Sequence, residues 1–253
     1  MGQLTDVAAH ELNARIISPD RPGIRDSSFQ PNRRLIDWPD LVEELADHLG
    51  IEQFRVLAIS GGAPYAYATA WKIADRVEAV AIASGAPPII DLSDHAGLLA
   101  LYRKMIWLYR NSRPTLRAFF YLTGVAASIR PPPRLRPLML KILRLRACDA
   151  TSLEDSVAFE ACFESQRRAW RSSVKGLIHD AEIFGVPWGF RLEDVDVPVR
   201  LWHGTEDRAF SIDVAKYVAN RLPNCAPHFI EGEGHYSLPI RHMREILTDL
   251  IAV

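Results

Sequence analysis

The stretch Val56-Leu57-Ala58-Ile59-Ser60-Gly61-Gly62-Ala63-Pro64-Tyr65 reads as a buried strand turned sharply into a helix, with a serine at the bend. A hydroxyl raised on such a bend can act as a nucleophile. The turn holds its central residue in a strained conformation and brings strand and helix so close that the residues two before and two after must be small. Those residues are Ala58 and Gly62. Gly61 follows the serine, and its backbone N–H is the candidate donor to an oxyanion, helped by the positive end of the next helix. A dinucleotide-binding turn would need G-x-G-x-x-G, which this stretch lacks.

A serine hydroxyl needs an imidazole to take its proton, and the imidazole needs a carboxylate to fix its tautomer. Both lie downstream, each after an expected strand. Residues 198–202 read as a short buried strand followed at once by His203-Gly204-Thr205-Glu206-Asp207, which makes Asp207 the candidate acid. Residues 227–231 read as another, followed by the flexible run Gly232-Glu233-Gly234-His235-Tyr236, which makes His235 the candidate base. The separations are 147 residues from Ser60 to Asp207 and 28 from Asp207 to His235. Asp180 and Glu206 are the next acids to weigh, and His203 suits support of its turn better than reaction. His10, His48, His179, His228 and His242 have no paired-ligand spacing, so neither a metal nor a cofactor is expected.

With these segments in place, residues 15 to 250 resemble the α/β-hydrolase superfamily, most closely its capped esterase and proline-iminopeptidase-like branch. The likeness is carried by Ala58-x-Ser60-x-Gly62, Trp202-His203-Gly204-x-x-Asp207, Gly234-His235 and Ser18-Pro19-Asp20-Arg21-Pro22-Gly23. It implies cleavage of an ester, amide or related bond through an acyl-enzyme, with Ser60 as nucleophile, His235 as base and Asp207 as orienting acid. It also implies two or three earlier strands, the third ending in a His-Gly-type loop that gives a second oxyanion donor and lying between residues 15–18 and 54–58. This sequence opens instead on a helix expected over Gln3 to Ala14, where Leu4, Val7, Ala8 and Leu12 share a face, and then a strand over Arg15 to Ser18. Two alternatives follow: a fragment of a longer active enzyme, or a catalytically impaired, poorly soluble hydrolase-fold binding protein in which 15–18 pairs with 54–58 or hangs beside it.

The elements that must position these groups alternate. Helices are expected over 39–49, 63–74, 212–222 and 238–251, and strands over 54–58 and 77–83 as well as the two named above. Near-continuous apolar strands mean a mostly parallel, doubly wound α/β sheet covered on both faces. Between Pro87 and Val197 the alternation gives way to helical pattern, so residues 1–86 and 198–253 are expected to form the core and 87–197 an inserted helical cap. Met105, Trp107, Tyr109, Phe119, Phe120, Tyr121, Phe159, Phe163, Trp170, Phe184 and Trp188 within it could line a partly apolar pocket for a small-molecule substrate. Most aromatics at helical spacing hold such helices together.

The net charge of −1 gives no overall attraction for nucleic acid, and no reader motif is visible. That total conceals a split: residues 91–150 carry eleven Lys and Arg against three Asp, a net of +8, and the remainder is at −9. Arg134 to Arg146, after Pro131-Pro132-Pro133, reads as a basic amphipathic helix. It could attract anionic substrates or an anionic membrane surface, or simply be a solvated face complementing an acidic core. Cys148, Cys162 and Cys225 are widely spaced, as expected of free thiols. With no signal pattern and no long apolar run, a cytoplasmic location without an integral membrane segment is expected.

Overall fold

Apolar runs bounded by turns become the sheet in the computed structural model, which describes residues 2–143, 145–172 and 174–253. In chain order the first part contains α1 (Gly2–Glu11), α2 (Trp38–His48), β1 (Phe54–Ile59), α3 (Ala63–Lys72) and β2 (Val77–Ala83). Among the described residues six helical segments follow: α4 (Ala100–Asn111), α5 (Arg113–Ala127), α6 (Arg136–Ile142), α7 (Ala147–Ser152), α8 (Ser156–Ser172) and α9 (Val174–Phe184). The last part holds β3 (Val199–Gly204), α10 (Ile212–Arg221), β4 (Cys225–Ile230), α11 (Ser237–Arg241) and α12 (Met243–Ile251).

The four strands lie in chain order and every pair is parallel. Parallel strands need crossovers that return on a face of the sheet, so both faces are covered and the central strands must be apolar throughout. Ala79 to Ala83 of β2 are accordingly fully buried. On one face Val80, Ile82 and Leu201 pack against Tyr65 and Tyr67 of α3 and Ala215 and Val218 of α10. On the other, Ala79, Ala81, Ala83 and Trp202 pack against Leu238, Ile246 and Leu250. Ala8 and Ala9 of α1 join Met243 and Leu247 of α12.

The strand expected at 15–18 is not formed. After α1 the backbone turns left-handed at Asn13 (φ 52°), and Ile16 and Ile17 are 41% and 40% exposed. A strand exists only as one side of a ladder, and β1 pairs with β2 alone among the described residues. Side chains anchor the segment beyond it instead. Asp180 of α9 takes hydrogen bonds from Arg33, from Tyr65 and, at 2.8 Å, from Arg21. The expected closing helix is also two helices, which meet at His242 (φ −108°, ψ 12°), whose ring bonds Glu245. The basic helix expected over Arg134 to Arg146 is shorter: α6 ends at Ile142, and Arg144 lies outside the described residues.

The inserted helices form two apolar clusters. Leu108, Leu116, Phe120 and Ile178 join α4, α5 and α9. Leu140, Leu153, Phe159 and Cys162 join α6, α7 and α8 and touch Tyr236 and Ile240 of the final segment. Burial pushes the Cys162 thiol up to about 11. No helix among the described residues is long and apolar enough to cross a membrane.

Candidate active site

Ser60 sits where β1 ends and a short 3-10 turn leads into α3. Its φ of 51° is left-handed, a region that L side chains other than Asn and Asp rarely adopt and that costs roughly 1–3 kcal/mol. Several contacts hold it there. The Ser60 carbonyl accepts the N–H groups of Ala86, at 3.0 Å, and Ala63. A Cβ on Gly62 would lie 3.3 Å from that of Ala58, so strand and helix are already closely packed there and leave little room for side chains at either position. The small neighbours that the sequence places around Ser60 therefore meet one another.

Asp207 and His235 come from the loops after β3 and β4, neighbouring strands whose carboxyl ends lie together. Ser60 Oγ is 2.9 Å from His235 Nε2, and His235 Nδ1 is 2.8 Å from Asp207 Oδ2. A carboxylate only accepts, so Nδ1 carries the hydrogen and Nε2 of the neutral ring is left to accept the serine proton. Asp207 is buried, and its Oδ1 takes the N–H groups of Ala209 at 2.7 Å and Phe210 at 3.0 Å. The three sequence-selected side chains are thus brought into one hydrogen-bonded chain.

The charges support each other. Burial would push the Asp207 carboxyl up, but the His235 imidazole and its hydrogen bond, with His203 and the Phe210 N–H, hold it below the usual range. Burial would lower His235, yet Asp207 and, behind it, Asp149 raise it above its ordinary value. His203 does what its position suggests: its Nε2 donates to the Phe210 carbonyl at 2.9 Å and steadies the loop that carries Asp207. Burial is the main reason its own pKa is lowered. Neither alternative acid faces His235. Glu206 pairs with Arg146 at 3.0 Å, and Asp180 is taken up by Arg21, Arg33 and Tyr65.

Around this chain the walls are aromatic. Phe210 and Tyr236 stand edge-on to the His235 ring at 5.7 and 5.5 Å, and Tyr102 of α4 stacks on Phe210 at 5.6 Å. A Cβ on Gly61 would lie 3.5 Å from the tip of Phe184 of α9, so that ring covers the residue after the serine. Of the eleven pocket residues expected from the inserted segment, Phe184 takes this place. Phe120, Phe159 and Trp188 are buried among other apolar side chains, while Trp107 and Tyr121 face outward. Tyr102, Phe210 and Asp149 are near the site without any motif to single them out. A cavity of about 240 Å³ lies elsewhere, between the loop Pro19 to Gln30 and Trp38, Leu41 and Val42 of α2.

The sequence matches the model of the alpha/beta hydrolase family over residues 2–249. A search of curated proteins finds no match. Among solved structures, a bromoperoxidase from Bacillus anthracis is similar with a TM-score of 0.70 and 20% identity, covering 99% of this chain and 86% of that one. A thermophilic esterase from Thermogutta terrifontis has a TM-score of 0.64 and 15% identity, covering 99% and 85%. A meta-cleavage product hydrolase from Pseudomonas fluorescens has 0.63 and 17%, covering 99% and 84%. Likeness at such identities concerns the fold alone.

Proposed function

The chain belongs to the alpha/beta hydrolase family, and from that premise we propose that it is a serine hydrolase that cleaves an ester, amide or related bond of a small, partly apolar substrate. The observation that carries this reading is the hydrogen-bonded chain from Ser60 Oγ through His235 to Asp207, at 2.9 and 2.8 Å. In the proposed reaction Oγ bonds to the acyl carbon while its proton passes to His235 Nε2. The negative charge goes to the carbonyl oxygen, where the Gly61 N–H and the start of α3 oppose it. Collapse expels the leaving group with the proton from His235 and leaves an acyl-serine. Water, deprotonated by the same imidazole, then releases the acid and restores Ser60. The inserted helices α4 to α9 act as the cap, with Phe184 and Tyr102 against the acyl or leaving group.

A fluorophosphonate probe and short p-nitrophenyl esters test the reading together. Labelling and turnover should both occur and both vanish in Ser60→Ala, and labelling that persists in that variant would defeat it. One feature favours a second reading, a hydrolase-fold binding protein with impaired turnover. The segment after α1 adds no strand beside β1, and Gly61 is the one oxyanion donor the sequence identifies. Losing a second such donor costs about 10²–10³ in rate. Stoichiometric labelling with turnover lower by that factor is the outcome expected of this alternative.

A further inference from the structure

Asp149 stands on α7, within the inserted helices, yet its carboxylate is buried against the loop that carries His235. Three successive main-chain N–H groups converge on it. That of His235 donates to Oδ2 at 3.2 Å, and those of Tyr236 and Ser237 donate to Oδ1 at 2.8 Å each. The residue before them comes closer still: a Cβ on Gly234 would lie 2.5 Å from Asp149 Oδ1. Burying a carboxylate is costly unless donors satisfy its oxygens, and here the donors belong to one short loop more than 80 residues away. An ordinary helix cap is local. This one crosses from the inserted helices to the base.

We propose that Asp149 is a positioning residue for His235, through which docking of α6, α7 and α8 sets the imaginary line from Ser60 Oγ to the imidazole at bonding length; the inference rests on the hydrolase reading above. Packing makes the same connection independently. Leu140, Leu153, Phe159 and Cys162 reach Tyr236 and Ile240, and Phe163 stacks on Tyr236 at 6.1 Å. The His235 backbone is therefore fixed by a polar clamp on one side and an apolar one beside it. The charge matters as well. The groups that face His235 are Asp207 and His203 from β3 and its loop, Tyr236 from its own loop, Tyr102 of α4 through Phe210, and Asp149. Asp149 is the second carboxylate among them, and it favours the protonated ring.

The full chain carrying Asp149→Ala or Asp149→Asn decides the matter. Losing the side chain frees three N–H groups and lets the loop drift, so Asp149→Ala should lower kcat on p-nitrophenyl acetate by about 10²-fold with KM within about twofold. Asparagine keeps a carbonyl oxygen for Tyr236 and Ser237 but not the charge. Because its NH2 then faces the His235 N–H, Asp149→Asn should give a kcat clearly below the parent but above Asp149→Ala, and move the His235 imidazole titration, followed by NMR, to lower pH. Unchanged kcat in both variants, or an unmoved titration in Asp149→Asn, overturns the proposal. If Asp149→Ala does not fold, the Asp149→Asn titration and kcat decide alone. The titration reads the clamp without turnover, so it separates this inference from the hydrolase reading, which Ser60→Ala tests.

Discussion

At the scale of single residues the site is a set of groups that would each be unfavourable alone. Ser60 carries a left-handed backbone, Asp207 a buried charge, and His235 a largely buried ring held above its ordinary pKa. The Asp207 charge and the His235 ring support one another through their hydrogen bond, and the Ser60 backbone is held by the N–H groups of Ala63 and Ala86 on its carbonyl, which is how a site is preorganised. In the proposed reaction the base works only when neutral, so kcat/KM should rise with pH through a value above 6.5, the ordinary pKa of the ring. Asp207→Asn removes the charge that favours the imidazolium and should shift that limb to lower pH. It should also cut kcat by about 10⁴-fold, since the amide no longer enforces the tautomer. Its Oδ1 can still accept from Ala209 and Phe210, so the variant should fold. A pH–rate profile of parent and variant checks both statements, and an unmoved limb would count against His235 as the titrating base.

Elements bring these residues together by approaching closely where side chains are absent. A Cβ on Gly204, at the end of β3, would lie 2.1 Å from the carbonyl oxygen of Glu233, in the loop after β4. Gly204→Ala must therefore push the Asp207 and His235 loops apart. It should cost about 1–3 kcal/mol in urea unfolding and lower kcat along with stability. Asp180 does a different job. It ties the loop after α1 to α9 and α3 through Arg21, Arg33 and Tyr65, with the Arg33 and Asp180 side chains only 4% and 6% exposed. Asp180→Ala leaves a buried guanidinium without its carboxylate, and a loss of about 3–5 kcal/mol is expected by the same measurement. A loss below 1 kcal/mol would mean that water reaches Arg33. The sequence showed Asp180 only as a spare acid, because a carboxylate that binds two arginines looks no different in one dimension from one that orients a histidine.

Over the whole molecule the sheet has β1 at one end, and its outer edge is unpaired among the described residues. Exposed apolar side chains add to this: Leu122, Val125, Leu138 and Ile142 on the inserted helices and Ile129 just after α5 are each more than half exposed, within the segment of net +8. Free strand edges and apolar patches both favour association, and neither is weakened by salt as ion pairs are. Sedimentation velocity over a tenfold concentration range should show association that added salt does not reverse. A monomer at every concentration would show that both surfaces are adequately protected. In the basic segment Arg130 and Arg136 are paired with Glu160, so part of its charge is already neutralised within the segment's own surroundings.

The local chemistry was written in the sequence. The strand–serine–helix bend, the small residues beside it, the limits of β2 at Val77 and Ala83, and the strand ends that bear Asp207 and His235 all depend on short-range rules of size, period and turn formation. Arg15 to Ser18 obeys the same rules and still forms no strand, because a ladder needs a partner that no local pattern supplies. Asp149 makes the complementary point. Nothing about an aspartate in a short helix announces that three N–H groups from the far end of the chain will close on it. Which groups share a burial, and so which charges must satisfy one another, is a property of long-range packing and was decided only when the chain had folded.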